Sequence, residues 1–400
     1  MSKQVYYVVI CIIASSVFFT SNQFLGGYLS SPEHLGKEIQ SPKDSLYQYK
    51  LIRKAPFKYR VLFSSIITSS FGLLFDSNDS DGFYYSYKAW SLLFVVAASC
   101  LFFYLLTLNG FSDQLSFLGA CLFLLLPPLL MAYTVPVHTR EDPLAYCILF
   151  SGLILIVKNK PWPFFLIALI GALCRETLLL LPLLYFIFSQ DQNLVRKFLL
   201  TGLPCVLWIL LRLFMEKTPY DSLEGFHWNN NNPEQIVGFL FLTYNILWLP
   251  LIFFLLRFRT TIVGEKSVIR LFFFKSSWIA LGLILLTTYL GGIYNEIRLL
   301  YLGVPWIIII SLVFLEKHGS DIYKIIRSRN YLIFTILCFA GAGYLLFITL
   351  KYQQVLIKPG KYNIPYHLWI IISIIYFTVS LILMPAVAKV FFKDKQHESF

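Results

Sequence analysis

Long apolar runs alternate with short charged stretches along nearly the whole chain. The runs lie near 5–24, 84–107, 115–134, 143–157, 162–174, 177–189, 197–214, 236–256, 271–290, 299–315, 331–350 and 366–388. Each reads as a membrane-crossing helix, since about twenty apolar residues match a hydrocarbon core ~30 Å thick. Twelve spans use roughly 240 positions, and the longest polar stretches are only Ser30–Tyr59 and Glu216–Gln235. No sizeable soluble domain fits. The fold expected is all-α, a polytopic transmembrane helical bundle of about 12 spans.

The pattern leaves one segment open. Pro161–Gln190 is almost unbroken apolar sequence interrupted once, by Arg175-Glu176. As one helix it would be about 45 Å long, too long for the core, so the alternative is two short helices turning at the charged dipeptide. Flanking charge decides for the pair. With it, both termini and the basic connections fall on one face, which collects Lys158, Lys160, Arg196, Lys197, Arg257, Arg259, Lys266, Arg270, Lys317, Lys324, Arg327 and Arg329. Such a face is cytoplasmic. A single helix would invert everything after residue 190 and put the loops 257–275 and 317–329 outside.

Composition agrees with this placement. The chain is 58% apolar, 18% aromatic and 14% charged, with a mean hydropathy of +0.69, whereas soluble domains carry about a quarter charged residues. The formal charge of +12 follows from the inside bias, and no nucleic-acid or nucleotide-binding motif accompanies it. The seven cysteines lie in apolar runs without CxxC spacing and read as small core residues. Val5–Phe19 lacks a small-x-small cleavage site, which favours an uncleaved first span over a signal peptide.

Ser30–Arg60 breaks the charge rule. It falls outside yet carries Lys37, Lys43, Lys50, Arg53, Lys54, Lys58 and Arg60 against Glu33, Glu38 and Asp44. Binding an anionic lipid headgroup would account for the excess, and a merely solvated loop is the alternative. The hydroxyl-rich run Val61–Phe75 reads as a helix lying at the outer interface.

On the same outer side fall His138-Thr139-Arg140-Glu141-Asp142, then Arg175-Glu176, His227-Trp228, and Glu296 with Arg298. Charges near an apolar phase are costly unless paired or wet, and mark candidate sites. The first cluster, through Glu141 and Asp142 with His138, could hold a divalent cation (Mg or Mn) or position an acid for proton transfer. Alternatively, Asp142 before Pro143 is simply a helix cap. Arg175 and Glu176 diverge by about 100° on a helix, so their partners lie elsewhere. Arg175 reads either as a structural ion pair or as a bidentate phosphate ligand, and Glu296 with Arg298 shares that ambiguity. His227 and Trp228 read as an interfacial belt or as part of a substrate surface.

The segment Asp44-Ser-Leu-Tyr47 followed by Ala55-Pro-Phe-Lys-Tyr-Arg-Val-Leu62, and Gly171-Ala-Leu-Cys-Arg-Glu-Thr177 with Pro182, are similar to motifs of the C-type glycosyltransferases. Those multi-span enzymes use polyprenyl-phosphate-linked sugars. The resemblance covers roughly residues 1–215, with the external loop 30–83 and the interfacial helix near 61–75; residues 216–400 match only as the loop 216–235 and further spans. It implies a GT-C-like fold in a bacterial inner membrane with its site facing outward. It further implies Asp44 as the first-loop acid, and Glu141 with Asp142 as the second acidic site, acting as base or metal ligands. Arg53, Lys54, Lys58 and Arg60 would suit the donor phosphate, with His138, Arg140, Arg175, Glu176, His227, Glu296 and Arg298 lining the substrates. The acceptor would be a glycan, lipid or protein. The compact paired-acid motif after the first span is missing, and Glu33 and Glu38 lie nearer that position, which leaves the identity of the base open.

The chemistry fits without the family name: moving a sugar off a lipid phosphate needs a carboxylate for the acceptor and cations for the departing phosphate. The competing readings are a transporter or lipid flippase, which places polar groups at midplane on broken helices, and a catalytically silent membrane subunit.

Overall fold

A computed structural model describes residues 2–29, 80–126, 141–191, 193–214, 243–256, 267–291, 300–326 and 374–385. It adds short pieces at 62–63, 65–66, 69–70, 129, 226–227, 230, 240–241, 265, 328, 331–333, 335–336 and 340. Among the described residues the structure is helical, without strands.

The helices are α1 (Lys3–Leu29), α2 (Ser80–Leu108), α3 (Asp113–Leu125), α4 (Asp142–Val157), α5 (Pro161–Cys174) and α6 (Leu180–Phe188), the last entered through a 3-10 turn at Glu176–Leu179. Then come α7 (Leu194–Phe214), α8 (Trp248–Leu256), α9 (Val268–Gly291) and α10 (Val304–Ile326), with α11 at Ile374–Pro385. Among the described residues, four stretches are long and apolar enough to cross a membrane: Lys88–Leu108, Leu194–Phe214, Val268–Leu290 and Tyr301–Gly319. Their presence marks a membrane protein.

Proline and cap chemistry sets the boundaries. Pro143, Pro161, Pro163, Pro182, Pro250 and Pro305 all stand in first turns, where a helix has no use for the missing N–H. Ser112 caps α3 by accepting from the Leu115 N–H at 3.3 Å. That helix stops at Leu125, short of the apolar run to 134, because Leu126 precedes Pro127 and is driven to extended backbone (φ −68°, ψ 143°).

Side-chain contacts give the helix directions. α1 runs against α2, with Tyr7 edge-on to Phe103 at 5.1 Å, while Lys3 meets Asp113 at the start of α3 at 3.6 Å. α2 and α4 run parallel: the Cys147 thiol donates to the Phe94 carbonyl at 3.0 Å, Phe102 stacks on Phe150, and Lys158 reaches the Tyr104 hydroxyl. The segment 161–188 folds back on itself. Phe164 near the start of α5 stacks on Tyr185 near the end of α6, centroids 4.3 Å apart and 13° from parallel. Two short helices turning at Arg175-Glu176 are thus the arrangement, as the charge pattern requires. Gly152 lets α4 approach α6, since a Cβ there would lie 2.6 Å from Leu181 Cδ1.

One end of the bundle gathers the ion pairs. Arg270 at the start of α9 donates to the Asn109 carbonyl at 2.9 Å, meets Glu316 at 2.7 Å and Glu265 at 3.7 Å, and stacks over Phe111. Lys317 meets Glu265 at 3.3 Å. Burial, which raises the Glu265 pKa, is outweighed by the Ser267 N–H and by Arg270 and Lys317, and the carboxyl falls below its usual range. Between α6 and α7, Asp191 receives two 2.6 Å bonds from Arg196, which hold its carboxyl down at about 2. The Arg270 contacts tie the α2–α3 turn to the start of α9 and to α10, and Phe188 at the end of α6 meets Phe272 in α9 at 5.6 Å, so these ends share one level, called here the proximal end.

From that level the helices reach different heights. At 1.5 Å per residue, α3 with 13 residues, α4 with 16 and α5 with 14 rise about 20–24 Å. α1 with 27 residues, α2 with 29, α7 with 21 and α9 with 24 rise about 31–43 Å. Among the described residues, the distal ends of α3, α4, α5 and α10 thus form a floor that lies lower than the described ends of α1, α2, α7 and α9, and this step in height is called here the distal recess. The described pieces of 62–70 flank α2 beside it, with Phe63 buried near Phe94 and the Trp90 indole donating to Ser70 Oγ at 2.8 Å.

Candidate functional site in the distal recess

Two fully buried charges lie on the floor. Asp142 opens α4, Arg175 closes α5, and the two form an ion pair with both side chains 0% exposed. Local structure puts them there. The Arg175 N–H still completes the last turn of α5 on the Gly171 carbonyl at 2.9 Å, but its own backbone is extended (φ −160°, ψ 138°) and ends the helix. The Leu178 N–H then bonds to the Arg175 carbonyl and starts the return. Gly171 permits the tight reversal, since a Cβ there would sit 3.3 Å from Leu178 Cβ. An acid at a helix N-terminus and a base at a helix C-terminus each complement the helix dipole, so the pair is favoured beyond its own attraction.

Glu141 precedes Asp142 in the cap position, is 2% exposed, and accepts from the Cys174 thiol through its carbonyl at 3.9 Å. Its side chain makes no cap bond. The cap thus falls one residue earlier than Asp142, which is itself the first helical residue. Glu176 is half-buried at the start of the return turn. Beneath the charges lies an aromatic layer: Tyr301 stacks on Phe123 at 5.4 Å, Tyr146 sits edge-on to both, and the Tyr301 hydroxyl donates to the Phe123 carbonyl. The Tyr244 hydroxyl donates to the Leu300 carbonyl at 3.0 Å, which fixes the entry to α10.

Of the residues singled out from sequence, Glu141, Asp142, Arg175 and Glu176 share this floor. His227 is exposed on a separate piece, edge-on to Phe226 at 5.7 Å, and Phe226 meets Tyr289 near the distal end of α9. Asp44, Arg53, Lys54, Lys58, Arg60, His138, Arg140, Glu296 and Arg298 lie outside the described residues. They fall in the segments 30–61, 130–140 and 292–299.

The described side chains do not by themselves make a metal centre. A hard cation takes about six oxygen ligands, the Asp142 carboxylate already faces a guanidinium, and no group of three His, Cys, Asp or Glu comes together among the described residues.

Sequence reading passed over the tyrosines, because aromatic residues inside apolar runs carry no polar signal. It also passed over Arg212, a single cation in the last turn of α7 stacked over Trp208 at 4.1 Å. The four-residue spacing of those two was the available clue. No family model, curated protein or solved structure matches the chain.

Proposed function

We propose that the protein is a membrane glycosyltransferase that moves a sugar from a polyprenyl-phosphate donor to a glycan, lipid or protein acceptor within the distal recess. In this reading the chain makes 12 passes through a bacterial inner membrane with both termini in the cytoplasm, and the recess opens outward. The observation that carries it is a fully buried pair of opposite charges about 20 Å from the proximal end of an apolar bundle, in a chain whose connecting segments are rich in lysine, arginine and acid. Charges in such a place are kept for function or for pairing.

The reaction divides between two groups. A carboxylate, Asp44 or Glu141, takes the proton from the acceptor hydroxyl as its oxygen bonds to the sugar carbon opposite the phosphate. The bond from sugar carbon to phosphate oxygen breaks, and the lipid phosphate leaves with the electron pair. Arg53, Lys54, Lys58, Arg60 and Arg140 stabilise the charge developing on it. The Asp142–Arg175 pair holds the tip of the α5–α6 hairpin against α4 and so fixes where Glu141 and Glu176 stand.

The test is incubation of purified protein in lipid nanodiscs with a panel of polyprenyl-phosphate sugars, reading donor consumption and transferred sugar by mass spectrometry. Turnover with at least one donor, lost in Asp44→Asn or Glu141→Gln, is the expected result. Absence of donor binding and turnover across the panel would remove the reading. The same buried pair supports a second reading, a catalytically silent subunit in which the floor only joins helices; full turnover in both variants with a bound donor would favour neither acid as base.

A further inference from the structure

We propose that Cys11 and Cys100 form a redox-active dithiol that a lipid-soluble quinone oxidises to a disulfide, locking α1 to α2 inside the membrane. The two helices run against each other, with Tyr7 edge-on to Phe103 at 5.1 Å. Four residues further along α1 stands Cys11, and three residues back along α2 stands Cys100. Those steps keep each cysteine on the face of its ring-bearing neighbour, one turn further from the proximal end. There the two thiols meet in a hydrogen bond across the seam. Both are free and half-buried. The Cys147 thiol on α4 is directed elsewhere, to the Phe94 carbonyl at 3.0 Å. A disulfide needs sulfurs that meet and backbones within about 7 Å, and contact between thiols on two packed helices supplies the first condition directly.

Depth decides which oxidant reaches them. At 1.5 Å per residue, Cys11 stands about 12 Å beyond Lys3, and Cys100 about 12 Å before Leu108. In a ~30 Å hydrocarbon core both lie near the middle. Charged reagents such as glutathione are excluded from that layer by the cost of burying their charge. From the lipid side Cys11 is open. It lines a shallow, mainly apolar groove on α1 together with Tyr7, Val8, Ile12, Ser15 and Ser16, and Val8 and Ile12 are exposed. The aliphatic side chains suit an apolar ring, and the serine hydroxyls are donors for its carbonyl oxygens. The step balances with a carrier of two electrons and two protons. Both S–H bonds break, one S–S bond forms, and the quinone leaves as its quinol. The bridge closes the chain between α1 and α2 into a loop that contains 30–61, the segment proposed above to hold the donor phosphate.

This inference rests on the membrane placement proposed above and does not depend on sugar transfer. The experiment takes the reduced, unmutated full chain in lipid nanodiscs, without oxygen, and adds either decylubiquinone or oxidised glutathione. Remaining thiols are capped with N-ethylmaleimide in denaturant, and the digest is read by mass spectrometry for linked peptides. The expected result is a Cys11–Cys100 link, with one quinol released per link, that forms about tenfold or more faster with the quinone than with glutathione. Cys11→Ser and Cys100→Ser each abolish link and quinol, whereas Cys147→Ser keeps both. Maleimide on Cys11 and Cys100 after quinone treatment of the unmutated protein, or a link that joins Cys147 instead, overturns the dithiol. Equal rates with the two oxidants overturn the lipid route.

Discussion

Arg175→Met isolates the energetics of the recess floor. The substitution keeps the length of the side chain but leaves Asp142 as a buried carboxylate facing no guanidinium. Both side chains are 0% exposed, so solvent does not screen the loss. Breaking such a pair from one side costs about 3–5 kcal/mol, a factor of some hundreds to thousands in the folded ratio. Asp142→Leu alone removes the carboxylate of the pair from beside the buried guanidinium and costs a similar amount. The double variant Asp142→Leu/Arg175→Met removes both charges and leaves a neutral apolar contact, so it should recover most of the loss. The assay is denaturant unfolding in mixed micelles, followed by tryptophan fluorescence, for all four members of the cycle. Single losses below about 1 kcal/mol, or a double variant no better than the sum of the singles, would refute the idea that the two charges act as one buried unit.

At the proximal end, Arg270→Met should cost about 3 kcal/mol, because one side chain joins the Asn109 carbonyl, Glu316, Glu265 and the Phe111 face; faster proteolysis of the α2–α3 turn would report it. Acid should release the turn between α6 and α7 late. The Asp191 carboxyl is held down at about 2 by Arg196, below its unfolded value near 4, so its contribution is intact above about pH 4 and is lost as pH falls through about 2. Limited proteolysis across that range should show the change in wild type and not in Asp191→Asn. Gly152→Val should destabilise by about 1–3 kcal/mol, since even a Cβ there meets Leu181 at 2.6 Å; thermal unfolding unchanged by the substitution would contradict the packing of α4 on α6.

Where residues are described, the helices fall on the apolar runs, because those runs and their charge flanks record them directly. The reversal at Arg175-Glu176 followed from run length and loop charge, and the Phe164–Tyr185 stack expresses the same reversal in space. What the runs do not record is height. α3 ends at Leu125 because Pro127 and Pro128 follow, although the apolar sequence continues. The low level of that helix end comes from this early stop, so periodicity alone left it unseen. The pairing of Asp142 with Arg175 joins residues 33 positions apart, and no local spacing rule connects them. Tyr146 and Tyr301 were hidden because their hydroxyls are set among aromatic side chains that look like ordinary core. Arg212 was passed over because one cation at a helix end is common, and its stack on Trp208 shows only in space.

The central claim is that the hairpin tip faces water on the side opposite the proximal ion pairs. Cysteine labelling in intact cells tests it most directly, with Glu176→Cys and Lys160→Cys each placed in a chain whose seven native cysteines are replaced. A membrane-impermeant maleimide should modify the cysteine at 176 from outside and the one at 160 only after permeabilisation. Labelling at 160 from outside, or no reaction at 176 from either side, would contradict an outward-open charged recess.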